Sequence, residues 1–168
     1  MKNCCCTGHR PKGIPFKYGI DKQKHNAYLK TLEEKIELAI TKYGITNFIS
    51  GMALGTDLDF AETVLKLRNK YPITLECAIP CPNQTLKWND NDKLRYESIL
   101  KRADEINIIS KRYTPECMLK RNRYMVDKCK IIIAVFNGIE KGGTWHTINY
   151  AEKENKDIVL INLCKVDK

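Results

Sequence analysis

In the stretch Lys130-Ile131-Ile132-Ile133-Ala134-Val135-Phe136, the residues from Ile131 to Phe136 form an unbroken apolar run rich in β-branched side chains, and Lys141-Gly142-Gly143-Thr144 follows shortly after it. A strand with one wet face alternates apolar and polar residues, whereas a strand covered on both faces does not. The run therefore predicts a central strand between two helical layers. The Gly142-Gly143 pair opens a helix that turns Trp145, Ile148 and Ala151 inward and leaves His146 exposed.

The same alternation extends outward from this pair. Strands are predicted at residues 3–6, 47–50, 73–79, 106–109, 130–136 and 157–163. Helices are predicted at 22–43, 56–69, 92–103, 116–128 and from 142 onward. The first helix carries Tyr28, Leu32, Ile36, Ala39, Ile40 and Tyr43 on one face and stops at Gly44. Strict alternation implies the α/β class: a Rossmann-like three-layer domain with a mostly parallel six- or seven-stranded sheet. The seventh strand would be an edge strand at residues 16–20. A length of 168 residues suits a single domain spanning 1–168.

Composition narrows the function classes. No apolar run approaches the roughly 20 residues of a membrane span, and the N-terminus lacks the apolar stretch of a secretory signal. A cytoplasmic protein with no membrane partner is expected. The eight cysteines include the adjacent Cys4, Cys5 and Cys6, and most of the others lie in apolar or helical contexts. They read as small buried hydrophobes in a reducing compartment. Only Cys77 and Cys81 add a close spacing to the triplet, so no metal site is expected. The net charge of +9 attracts anions, but the lysines are scattered among glutamates and form no basic block with interleaved aromatics.

In parallel sheets, ligands bind beyond the carboxyl ends of the strands. Three strand-to-helix turns there carry unusual residues. Thr7-Gly8-His9-Arg10-Pro11 offers a glycine, a hydroxyl and a guanidinium that can grip phosphate. Ser50-Gly51-Met52-Ala53-Leu54-Gly55-Thr56-Asp57 places two glycines before a helix start, where free N–H groups attract anions. Thr56 also suits an N-cap, and Asp57 a first-turn acid. Gly142-Gly143-Thr144 repeats the pattern. Neither glycine turn is a Walker A loop or a Gly-x-Gly-x-x-Gly loop. On the helix at 116–128, Leu119, Met125 and Val126 are expected to pack, and Asn122 and Arg123 are the ligand candidates; a solvated basic turn fits Arg123 equally well on spacing alone.

The ordered set Thr-Gly-His-Arg-Pro, Ser-Gly-Met-Ala-Leu-Gly-Thr-Asp, Pro-Cys-Pro-Asn-Gln with Trp88 downstream, Arg-Asn-Arg-Tyr-Met-Val-Asp and Gly-Gly-Thr resembles the YpsA-like family of the SLOG superfamily. The superfamily also holds the LOG phosphoribohydrolases and DNA-processing protein A. The resemblance covers about residues 4–163. It implies a nucleotide or nucleotide-derived ligand at the glycine turns, bound by a bacterial regulatory or sensing module. The LOG enzymes use a glutamate at the place occupied here by Thr147, so the resemblance argues against their hydrolysis of nucleoside monophosphates. That hydrolysis and single-stranded DNA binding are the alternatives. The expected partners are a phosphorylated small molecule, nucleic acid held weakly and without specificity, and a second copy of the chain in a homodimer.

Overall fold

The computed structural model describes residues 2–165. The single-domain expectation for 1–168 thus includes residues 1 and 166–168, which lie outside the described residues. Six strands run in chain order: β1 (Asn3–Thr7), β2 (Asn47–Ser50), β3 (Thr74–Ile79), β4 (Glu105–Ile108), β5 (Ile131–Phe136) and β6 (Asp157–Asn162). They alternate with α1 (Lys22–Tyr43), α2 (Thr56–Leu67), α3 (Asp90–Arg102), α4 (Cys117–Lys128) and α5 (Gly142–Lys153). All six strands are parallel, in the order β4-β3-β2-β1-β5-β6.

This order arises from the connections. From β1 the chain steps outward through β2 and β3 to β4, then returns by way of α4 to β5 on the other side of β1. Helices α1, α2 and α3 pack on one face, where Tyr28, Leu32, Ile36, Phe60, Val64 and Ile99 join the larger core. Helices α4 and α5 cover the other face through Met125, Val126 and Ala151, against Cys5, Ile49, Ala78 and Ile132. Every residue of β5 from Ile131 to Val135 is fully buried, as its apolar run requires.

Helix α1 starts where the Asp21 carboxylate accepts from the Lys24 N–H at 3.1 Å. It stops where Gly44 takes the left-handed conformation (φ 66°), so that its N–H and that of Ile45 reach back to Ile40 and Ala39.

Some expectations fail. Among the described residues there is no strand at 16–20. Instead Tyr18 donates to Asp59 Oδ1 at 2.7 Å and accepts from Arg95, so this segment straps the α1–α2–α3 face. Leu119 is 43% exposed rather than packed. Thr56 is not the N-cap of α2; Gly55 holds that position without a side-chain bond, and Thr56 begins the helix. Strand β4 is an edge strand, and its Ile106 and Ile108 stay largely exposed. Among the described residues, no helix is long and apolar enough to cross a membrane.

Candidate functional site

Strands leave β1 toward one side and β5 toward the other, so their carboxyl ends diverge into a crevice. A cavity of about 280 Å³ lies there. The end of β1 lines it with Thr7, the loop after it with Gly8, His9 and Arg10, the β2–α2 turn with Ala53, the first turn of α2 with Asp57, α4 with Asn122, and the start of α5 with Gly143 and Thr144. Sequence reasoning singled out all of these except Ala53. The cavity also takes Cys6, Met118, Arg121 and Met125, which it did not.

The largest change concerns arginine. Arg123 is exposed and lies over the Tyr150 ring, 5.6 Å from its centroid, outside the cavity. Arg121 is the arginine that lines it, with only 5% of its surface accessible. Its Nη1 donates to the Gly51 carbonyl and lies 3.3 Å from Asp57 Oδ2. Its buried Nε has no partner among the described residues. Cys117, Arg121 and Met125 are spaced four apart and are all buried on one stripe of α4.

The glycines divide into two kinds. Gly51, Gly55 and Gly8 serve contacts within the protein. A methyl at Gly51 would overlap the Arg121 guanidinium, and one at Gly8 would overlap Thr56. One at Gly55 would lie 2.7 Å from the His9 carbonyl oxygen. That carbonyl also accepts both the Thr56 N–H and its hydroxyl, each at 3.1 Å. The start of α2 is thereby clasped to the first loop. Gly142 and Gly143 have open space where a side chain would project, and the N-cap Lys141 makes no side-chain bond to α5. The first N–H groups of α5 therefore have no side-chain cap.

Electrostatics agree with that division. Burial pushes the Asp57 carboxyl up against the opposing pull of Arg121 and of the Ala53 N–H, which donates to Oδ2 at 3.1 Å. Burial also pulls the Arg121 guanidinium down, with Asp57 opposing. One buried acid thus stands against Arg121 and the exposed Arg10 in the same cavity. The α5 terminus adds the partial positive charge of a helix start. Burial lowers the His9 imidazole, whose Nε2 accepts the Asn137 N–H at 3.2 Å and which stacks on Phe136. Phe136 in turn stacks on the half-buried Trp145. Thr147 is buried; its hydroxyl donates to the Gly143 carbonyl at 2.8 Å and accepts from Asn122 at 3.0 Å. It therefore fixes Asn122 at the wall of the cavity.

Comparison with known proteins places this geometry in context. The family model YpsA, described as the YspA SLOG family, matches residues 4–166. The chain is 37% identical over 131 residues to the SPbeta prophage-derived protein YoqJ of Bacillus subtilis (strain 168), covering 70% of this chain and 76% of YoqJ. It is 29% identical over 157 residues to a UPF0398 protein of Bacillus pumilus, covering 90% and 82% of the two chains. A UPF0398 protein of Bacillus cereus (strain B4264) is 28% identical over 162 residues, covering 93% of this chain and 85% of that protein. With its all-parallel Rossmann-like sheet and a family match running from β1 past β6, the chain belongs to the YpsA family of SLOG proteins.

Proposed function

We propose that the crevice binds the phosphate of a nucleotide or nucleotide-derived ligand, and that the protein is a binding and sensing module of bacterial type. The observation that carries this is Arg121, buried beside the open start of α5 with a donor unmatched. A buried donor without a partner costs roughly 1–3 kcal/mol, and an arriving phosphate oxygen would remove that cost. Arg10 and the Gly143-Thr144 backbone complete a cationic seat, and Asp57 offers a buried acceptor for a ribose hydroxyl. A cavity of about 280 Å³ suits a ligand of mononucleotide size, near the lower end of typical small-molecule pockets.

Binding without turnover is favoured because Thr147, at the place of the LOG glutamate, has its hydroxyl engaged by Gly143 and Asn122 and can supply no carboxylate. The test is calorimetric titration with AMP, ADP-ribose and inorganic phosphate at physiological salt, using the wild type, Gly143→Asp and Arg123→Ala. Gly143 is exposed in open space, so its variant should fold normally and lose binding, while Arg123→Ala binds like the wild type. Loss of binding in Arg123→Ala but not in Gly143→Asp would refute the site. Weak attraction to DNA should fade by about 200 mM salt.

A further inference from the structure

Strand β4 ends the sheet, and among the described residues no strand lies beyond it. Its backbone pairing leaves one set of groups open. Ile79 aligns with Ile108, and the Ile109 N–H donates to the Ile79 carbonyl at 2.8 Å. Pro80 follows Ile79 and has no N–H to give to the Ile108 carbonyl. Residues that bond a neighbouring strand alternate with residues that do not. Glu105, Asn107 and Ile109 therefore face β3, while Ile106 and Ile108 turn both N–H and C=O outward.

The side chains follow the same alternation. Ile106 and Ile108 stand beside Cys77 and Ile79 of the larger core, yet remain 47% and 54% exposed. On the other face Asn107 donates to Glu76 and Glu105. An edge with open backbone groups and exposed apolar side chains is a template for another strand, and proteins block it with lysine, proline or a bulge. From Glu105 to Ile108 the strand has no lysine, no proline and an unbroken register. The opposite edge differs. In β6 only Asp157 and Leu160 are exposed, and its exit turns into the short helix Leu163–Lys165, where Asn162 accepts the Cys164 N–H at 2.9 Å.

Charge at the ends of β4 points to its partner. The segment starts acidic, at Asp104-Glu105, and leads out to the basic Lys111-Arg112, all of them exposed. Asp104 already bonds Arg68 at 2.7 Å, which leaves Glu105 as the acid facing the edge. A parallel second copy would set like charge against like; an antiparallel one sets the acidic start of each strand against the basic exit of the other. We infer that β4 pairs antiparallel with β4 of a second copy of this chain, across a twofold axis, joining the two sheets into one. When Ile106 of one protomer lies opposite Ile108 of its partner, each pair exchanges N–H···O=C bonds and every outward group within β4 is matched. Glu105 is then diagonal to Lys111 of the partner subunit, within reach of long side chains. The isoleucines of both copies meet on one face, as the self-complementarity of a twofold interface requires. No residue lining the crevice takes part. So short a strand contact is a small interface, and the dimer it forms is weak and concentration-dependent.

The test is sedimentation equilibrium of the full chain from about 1 µM to about 1 mM, the range in which a small interface associates. The expected result is a monomer that becomes a dimer, with no larger species, as concentration rises. Ile106→Lys puts a charge on an exposed position of the edge and should weaken association roughly tenfold or more. Ile108→Pro removes an N–H that bonds only the second copy and should do the same; circular dichroism confirms that each variant is folded. Glu105→Lys and Lys111→Glu should each weaken the dimer, and the two together in one chain should restore it. Leu160→Lys, on the opposite edge, should leave it unchanged. A monomer throughout, growth into open-ended oligomers, association that survives both isoleucine variants, or association that Leu160→Lys abolishes would each overturn the inference. Failure of the combined charge variant to recover would overturn the antiparallel arrangement.

Discussion

Replacing Gly55 by alanine should unfold the protein at a distinctly lower temperature, although the residue does not line the crevice. Gly55 holds φ 86° and ψ −123°, a region that a side chain makes unfavourable. Such strain costs about 1–3 kcal/mol. The new methyl would also lie 2.7 Å from the His9 carbonyl oxygen, 3.0 Å from Pro11 Cδ and 3.1 Å from the Arg10 carbonyl carbon. Two of these neighbours are backbone, so relief requires moving the first loop, at about 1–3 kcal/mol for overpacking. One movement relieves part of both terms, so the combined cost should be about 2–4 kcal/mol. For a domain of this size each kcal/mol lowers Tm by roughly 2–4 °C, giving a drop of roughly 4–16 °C. Thermal unfolding followed by circular dichroism, with urea denaturation alongside, measures it. Gly143→Ala is the control: its methyl enters open space at the start of a helix, so stability should change by less than about 1 kcal/mol. A Gly55→Ala protein melting within about 2 °C of the wild type, well short of the expected shift, would refute the assignment of Gly55 to the clasp between the loops.

Two further outcomes follow from titrating groups partly or wholly shielded from water. Burial alone would raise the Glu76 carboxyl, but hydrogen bonds from Tyr124, Lys128 and Asn107 outweigh it and hold the group below 4.5. Its folded state thus binds fewer protons than the unfolded one, so its contribution is full above the unfolded value and lost as pH falls through the folded value. Glu76→Gln should cost about 1–3 kcal/mol at neutral pH, and the gap from the wild type should close on acidification below 4.5; a gap that stays constant with pH in urea titrations contradicts this. His9, lowered by burial, should titrate below its ordinary 6.5, seen as its NMR imidazole shift against pH. A midpoint above 7 would contradict the neutral acceptor inferred for its Nε2.

The alternation of strands and helices was legible because each element carries its own period and its own stop. Helix α1, bounded by Asp21 and Gly44, is the clearest case. The crevice was legible as a set of turns, since parallel topology brings carboxyl ends together whatever the details. What each glycine faces was not legible. A missing side chain in the sequence does not say whether the space belongs to a ligand, as at Gly143, or to another loop, as at Gly55. The choice between Arg121 and Arg123 did leave a signal. Cys117, Arg121, Met125 and Val126 make a continuous helical stripe, but weighting Leu119 as apolar set the phase of α4 wrongly. The Tyr18–Asp59–Arg95 strap joins three distant segments and leaves no local pattern.

The pairing of β1 with β5 sets an order of events in biosynthesis. Cys4 aligns with Ile131 and Thr7 with Ala134, so β1 waits for the much later β5 before its second edge is paired. Until then β1, β2, β3 and β4 can assemble only a sheet in which β1 has one edge bare. A bare apolar edge recruits other chains, and long-range pairing of this kind is slow. Products that stop short of Ile131 would therefore lack both β5 and the α5 wall of the crevice, and would meet the cell's quality-control machinery as sticky half-sheets.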